Sequence, residues 1–373
     1  MSFPSRLRVL VEGSNAPGSA GSGICFTQTT TFMAEIVGRA AAPVQILEPR
    51  RYRRHRRPFS PFVPGVLLKL LLLVNSSASS VTARSRVVIQ KALSADHELQ
   101  VAETSRRDHA MRLAQGAAAE GVDVVVSLGG DGTLNEAANG LVGTGTALAT
   151  LPGGSTNVFA RTIGLPNDPI EATSVLLDSL AAGSIRPVGV GTANGRCFLF
   201  HVGIGYDAEV VHQVERRGTI KRWAGHPLFA WCAVDTWFRH YDRSRPRFAV
   251  RFPGGDVIDD AYFGICLNTD PYTFVGNRPF HLAPGATLDN GLSMVALRTL
   301  SVGPLLRLIA SSLGGRQGLR SGRVVEVRHD LDEIVVEGHG PFPHQVDGDY
   351  LGEIDRLVLR HEPHSLRLVL PPR

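Results

Sequence analysis

The stretch Val124–Leu141, VVVSLGGDGTLNEAANGL, sets an apolar β-branched run directly against a helix-forming one, with Gly129-Gly130-Asp131-Gly132-Thr133 between them. Such a run bounded by glycine predicts a buried strand, and the Thr133-to-Leu141 segment predicts a helix that starts at once. A glycine-rich turn there gathers backbone N–H groups around a concavity at a positive helix end, which suits a phosphate. Glycine lets phosphate oxygens approach where a Cβ would stand in the way. Asp131 cannot face a phosphate directly, because like charges repel, and it is expected to hold Mg²⁺ or water beside it. Thr133 and Asn135 offer a hydroxyl and an amide to the same place.

One strand–helix unit later the pattern returns as Leu151-Pro152-Gly153-Gly154-Ser155-Thr156-Asn157. Glycine turns are common singly; two of them at neighbouring strand ends can grip one polyphosphate. The chain has no G-x-x-x-x-G-K-[ST] and no G-x-G-x-x-G after its first strand, so neither a Walker A loop nor a dinucleotide fingerprint is supported.

Working outward, apolar Val66–Val74 reads as a first strand, since nine residues are too few for a bilayer, which takes about 20. Helical and strand patterns then alternate through ARSRVVIQKALSA, HELQVAET, RDHAMRLAQGAAAEG, VDVVVSL, TLNEAANGL and ALATLP. This alternation predicts right-handed crossovers on a parallel sheet, with the ligand site at the strands' carboxyl ends. Beyond about Ile185 the strands RCFLFHVGIG, RFAVRF, AYFGICLNT, LSMVALRTL, VVEVRHD and EIVVEG follow with few long helices between them. The fold class is therefore α/β in two domains: a parallel α/β nucleotide-binding domain over 66–190 and a β-sandwich-like second domain over 191–352. The end, 353–373, is free to rejoin the first domain.

Composition narrows the setting. A hydrophobic fraction of 43% and a charged fraction of 20% are those of a globular protein. Residues 1–65 hold nine Arg and three Glu, a net +6 of the chain's +5, so the remainder stands at −1. The basicity belongs to this segment, which includes six Arg in the eight positions 50–57. It reads as a disordered extension, and no nucleic-acid partner is expected of the body. Cys25, Cys197, Cys232 and Cys266 have no metal-like spacing, which fits a reduced cytoplasmic setting. His201, His212 and His344 likewise lack partner spacing and read as surface or packing residues.

GGDGTLNEAANGL, LPGGSTNVFARTIGLP and GIGYDAEVV together resemble the bacterial diacylglycerol kinases, relatives of the sphingosine kinases. The GGDGT turn is shared with NAD kinases, whereas N-E after it and the LPGG-S-T-N-x-F-A-R block resemble the lipid branch. The resemblance covers Val66 to the C-terminus and implies ATP and Mg²⁺ as cofactors. It implies that Gly129, Gly130, Asp131, Gly132, Thr133, Leu134 and Asn135 contact ATP, with Thr104 and Ser155. Relatives end the second domain with D-G-E, whose aspartate is taken as general base; here the match is Asp347-Gly348-Asp349, which implies Asp347 as that base, and Asp349 as a second catalytic candidate that replaces the usual glutamate, keeping its charge on a shorter reach. A D-G pair is also an ordinary hairpin turn. The implied metal residues are Asp131 and Asp207, and, in ATLDNGL, Asp289, Asn290 and Leu292. Two positions depart from the family: Val158 and Asn290 stand where aspartate is usual, and the second weakens the structural metal site.

The resemblance implies transfer of phosphate from ATP to diacylglycerol, giving phosphatidic acid. Sphingosine or NAD as acceptor, and a non-catalytic sensor, are the alternatives. Trp223, Trp231 and Trp237 lie in RRGTIKRWAGHPLFAWCAVDTWFRHY after Arg216, Arg217, Lys221 and Arg222. Basic and aromatic residues beside an apolar helix suit peripheral docking on an anionic membrane, and equally a helix packed on the second domain. A homodimer is open as the assembly.

Overall fold

The computed structural model describes residues 66–217, 228–229, 231–313, 319 and 321–372. The Arg-rich segment 1–65 and Lys221, Arg222 and Trp223 lie outside the described residues, and so do the expectations placed on them.

The first half is built as the alternation predicts. Strands β1 (Lys69–Val74), β2 (Glu98–Glu103), β3 (Val124–Gly129) and β4 (Ala147–Pro152) alternate with helices α1 (Ala83–Asp96), α2 (His109–Ala119) and α3 (Asp131–Leu141). β1 pairs in parallel with both β2 and β3, and β3 with β4. β3 and β4 are buried along their whole length, as strands covered on both faces must be. α1 starts in a capping box, where Thr82 Oγ1 accepts from Ser85 N–H and Ser85 Oγ accepts from Thr82 N–H. α4 (Val158–Thr162) and α5 (Pro169–Ala181) follow; α5 is capped by Asp168 with Pro169 in its first turn.

The second half holds β5 (Ile185–Ala193), β6 (Arg196–Phe198), β7 (His201–Gly205), α6 (Tyr206–Arg216), β8 (Phe248–Arg251), β9 (Val257–Ala261) and β10 (Phe263–Leu267). It continues with β11 (Thr273–Val275), β12 (Arg278–Phe280), β13 (Leu292–Leu297), α7 (Val302–Leu313), β14 (Val325–Leu331), β15 (Glu333–Val346) and β16 (Asp349–Val369). Its strands pair antiparallel in the order β14-β13-β10-β7-β15-β16, with β8 also on β15. Phe198, Phe248, Met294, Phe342 and Leu357 share one buried core between them.

The two halves are joined by a strand. β16 is 21 residues long; its first part forms a hairpin with β15, and its last part lies parallel to β4, Arg367 opposite Ala147 and Leu368 opposite Leu148. Hydrogen bonding therefore runs unbroken from the antiparallel region into the parallel one. Alternation of apolar residues along Leu366, Leu368 and Val369 sends them into the cores on both faces of the parallel sheet.

Candidate active site

α3 begins at Asp131 with Gly130 as N-cap and no side chain capping its first N–H groups. Its positive end is left for an anion. The carboxyl ends of β2, β1, β3 and β4 bring Thr104, Asn75, the Gly129–Thr133 turn and Ser155 to one edge. Thr104 N–H donates to Val74 O (2.9 Å), Asn75 Nδ2 donates to Thr133 Oγ1 (3.0 Å), and Ser155 stays exposed.

The glycines have two distinct jobs. Gly153 N–H donates to Gly129 O at 2.8 Å, and a Cβ on Gly153 or Gly154 would stand 2.8 Å from the Cα of Gly129 or Gly130. The two turns thus pack backbone against backbone, which no side chain permits. Gly132 faces a different neighbour, since a Cβ there would lie 3.7 Å from Asp349 Oδ1.

Asp131 turns toward α4. Its Oδ2 accepts from Val158 N–H (3.0 Å) and its Oδ1 from Phe159 N–H (3.1 Å), capping a helix whose own N-cap side chain makes no such bond. Burial pushes its carboxyl up, against the downward pull of those N–H donors. Val158, the departure from the family pattern, buries its side chain and contributes its N–H.

Leu134 and Asn135 are both buried. Leu134 is part of the core under α3. Asn135 is buried, and its Nδ2 donates to Cys197 O (2.9 Å) and to Asp347 Oδ2 (2.7 Å). Arg196 Nη2 donates to its Oδ1 at 3.1 Å. The amide joins α3 to the second half of the chain, a tie that the expected nucleotide contact does not include.

Asp347 and Gly348, at φ +48° and +83°, form the two-residue turn between β15 and β16. These signs are those of a type I′ hairpin, for which D-G is a preferred pair. Asp347 is 4% exposed. Its Oδ2 accepts from Asn135 Nδ2 and Leu199 N–H (2.8 Å), and its Oδ1 from Phe200 and His201 N–H (both 3.0 Å). Burial pushes its carboxyl up to about 7 against the pull of these donors. Two residues on, Asp349 is partly open to solvent, with its side chain 29% exposed, Arg107 Nη2 at 3.4 Å and Arg196 Nη2 at 3.6 Å.

Asp207 is held within the second half. Tyr272 Oη donates to its Oδ1 (2.6 Å) and Gln345 Nε2 to its Oδ2 (2.8 Å), while Gln345 Oε1 accepts from Gly348 N–H at 2.8 Å. Burial raises the Asp207 carboxyl and the Tyr272 hydroxyl alike. The structure shows Asp207 bracing the Asp347–Asp349 turn, a role the metal expectation did not foresee. Among the expected metal residues further on, Asp289 pairs with Arg186, Asn290 Nδ2 donates to Gly285 O (3.3 Å), and Leu292 is buried in β13. Asp131 and these residues are therefore held in separate places. His201 and His344 are buried in packing, and burial holds His201 down at about 3.

Sequence reasoning missed Arg107, Arg196, Tyr272 and Gln345. Arg107 had a signal, its place in the ETSRRDHA turn beside Thr104. The others come from distant strands and carried none.

The fold is a parallel α/β region whose glycine turns share one edge, with a second, β-rich region bringing Asp349 to Gly132. The model of the diacylglycerol kinase catalytic domain matches residues 69–211. A probable lipid kinase YegS-like protein of Pseudomonas aeruginosa (strain UCBPP-PA14) is 30% identical over 304 residues, 81% of this chain and 94% of that one. The diacylglycerol kinase of Bacillus subtilis (strain 168) is 34% identical over 129 residues, 34% of this chain and 42% of its own. The crystal structure of a putative diacylglycerol kinase from Bacillus anthracis str. Sterne superposes with a TM-score of 0.64 at 21% identity, over 82% of this chain and 97% of that one. The chain belongs to the family of lipid kinases built on the diacylglycerol kinase catalytic domain.

Proposed function

We propose that this protein transfers the γ-phosphoryl group of ATP to the free hydroxyl of diacylglycerol, yielding phosphatidic acid. The observation that carries the reading is the approach of Asp349, from the β15–β16 turn, to Gly132 in the first turn of α3. A helix end that binds phosphate and a carboxylate that accepts a proton are what an alcohol needs to attack a phosphoryl group.

In this reading the triphosphate lies at the N-terminus of α3, steadied by the Gly129–Thr133 and Gly153–Ser155 turns. Asp349 accepts the proton of the lipid hydroxyl as its oxygen bonds to the γ-phosphorus. The bond from that phosphorus to the β–γ bridging oxygen breaks, and ADP leaves. Arg107 and Arg196, beside Asp349, face the charge that builds on the phosphoryl oxygens. Asp347, which the family resemblance implies as the base, is in this reading the positioning residue, because its four hydrogen bonds hold the turn and tie it to α3 through Asn135.

Mg²⁺, bound with ATP, supplies neutralisation of the phosphate charge. Asp131 fits as its protein ligand, since each oxygen keeps a lone pair beyond its one N–H bond. Among the described residues no three His, Cys, Asp or Glu side chains form a metal cage. That suits an ion which keeps several waters and phosphate ligands.

The test is transfer of label from ATP with Mg²⁺ to diacylglycerol in mixed micelles, with sphingosine and NAD in parallel. Labelled phosphatidic acid is the expected product. Label appearing on sphingosine or NAD instead would replace the acceptor, and no transfer to any of the three would overturn the reading.

A further inference from the structure

Two helices of the second half carry apolar side chains that the fold leaves uncovered. In α7, Val302, Leu306, Ile309 and Leu313 are exposed, Leu306 at 60%. Their spacing of four, three and four residues puts them on one stripe. Leu308 and Ser312, on the opposite side, are the buried residues of this helix. Its one charged residue is Arg307.

The second helix runs from Trp231 into a π-helical turn, Thr236–His240. Trp231, Val234 and Phe238 are exposed along it, Phe238 at 67%. Both helices rest on the same core, with Leu228, Cys232 and Leu308 in one cluster. They are tied together where Trp237 Nε1–H donates to Leu300 O (3.0 Å), two residues before α7. Phe238 therefore points out from a turn whose neighbour Trp237 is anchored.

The rim is basic. Arg239 and Arg245 hold side chains 76% and 74% exposed, and Arg243 stacks on Trp237 at 3.6 Å. Arg217 lies over Trp231 at 4.7 Å. Asp235 is buried against Arg217, with Arg239 Nη1 (3.5 Å) and His240 Nε2 (3.3 Å) also on it, and Asp242 meets Arg245, so four arginines face two carboxylates and the rim keeps a positive balance. Exposed apolar stripes ringed by arginine complement an interface whose headgroups are anionic and whose interior is hydrocarbon. Among the described residues no helix is long and apolar enough to cross a membrane.

We propose that α7 and the Trp231–His240 helix form one docking face that lies in the surface of an anionic bilayer, with Leu306, Ile309 and Phe238 inserted and the arginines at headgroup level. The choice of a bilayer as occupant rests on the lipid-kinase reading. The geometry supplies a reason of its own: the C-terminal end of α6 touches both this face and the start of β16, Arg217 lying over Trp231 and Glu215 accepting from Tyr350 N–H at 3.1 Å, one residue after Asp349. A lipid collected at the face would meet the carboxylate at its edge.

The test uses the full chain without ATP, so it stands apart from catalysis. Wild-type protein should co-sediment with phosphatidylcholine vesicles containing phosphatidylglycerol, and weakly with phosphatidylcholine alone. Leu306→Glu with Ile309→Glu should lower that partition about tenfold or more, since two inserted aliphatic side chains are lost. Arg239→Gln with Arg245→Gln should lower its salt-sensitive part. Turnover of a short-chain, water-soluble diacylglycerol should be unchanged in both variants. Undiminished vesicle binding by the folded Leu306→Glu, Ile309→Glu protein would overturn the proposal. So would a wild-type dimer that this double substitution dissociates, because the face would then join two copies. Vesicle binding with no phosphate transfer would sink the kinase reading and leave the face standing.

Discussion

Asp347 and Asp349 share one turn and differ in everything that decides their chemistry. The four donors on Asp347 leave its oxygens no approach for a substrate hydroxyl, whereas Asp349 stays 29% exposed beside Gly132. Asp349→Asn should lower kcat about 10²–10⁴-fold, the usual range for a lost general base. Thermal melting and ATP binding should stay near wild type, and undiminished turnover would strip Asp349 of the role. Asp347 makes a separate prediction about stability. Its carboxyl lies at about 7 when folded and at 3.8 by default, so folding takes up a proton between these values. Stability should therefore fall as pH rises from about 4 to about 7 and level off above. Melting temperatures across that range check it, and Asp347→Asn should flatten the slope. The Asn substitution also sets an NH₂ among N–H donors, so it should lower stability by about 1–3 kcal/mol at the acidic end.

Among the elements, the glycines separate local preference from packing. Gly116 in α2 and Gly140 in α3 look alike in sequence, each a glycine within a helix near alanines. A Cβ on Gly116 meets nothing within 4 Å, while one on Gly140 falls 2.5 Å from Met111 O and 2.9 Å from the Ala114 Cβ. Gly116→Ala should stabilise by about 0.5–1 kcal/mol, the ordinary gain in a helix interior. Gly140→Ala should destabilise by about 1–3 kcal/mol, because α2 and α3 must separate to admit it. Chemical denaturation of both variants makes the comparison. Gly153→Ala forces the two glycine turns apart, and on the proposed function should raise the KM for ATP as well as lower the melting temperature.

For the molecule as a whole, β16 decides cohesion. Removing residues after Glu362 takes Leu366, Leu368 and Val369 out of the cores around the parallel sheet and leaves β4 with an open edge. Each lost Leu costs about 2–5 kcal/mol, against a total stability of about 5–15 kcal/mol for a typical protein. The truncated chain should lose its cooperative unfolding transition and precipitate, which calorimetry and solubility would report. An intact transition would mean that the parallel half closes without its fifth strand.

What could be read from sequence was what neighbouring residues determine. The parallel alternation, the strand-to-glycine-to-helix junction at Gly129–Thr133, its echo at Gly153–Ser155 and the D-G turn all follow from periodicity and turn chemistry, which act over a few residues. The lipid-kinase family was legible for the same reason, since its motifs are contiguous. Tertiary structure alone decided which carboxylate is exposed, why Asn135 points at Asp347 across 212 positions of sequence, and that Asp207 braces a turn through Gln345. It also decided that the last residues complete the first sheet. A buried carboxylate and an open one have the same letter; their difference lies in the donors and solvent around them, and those come from strands that sequence distance conceals.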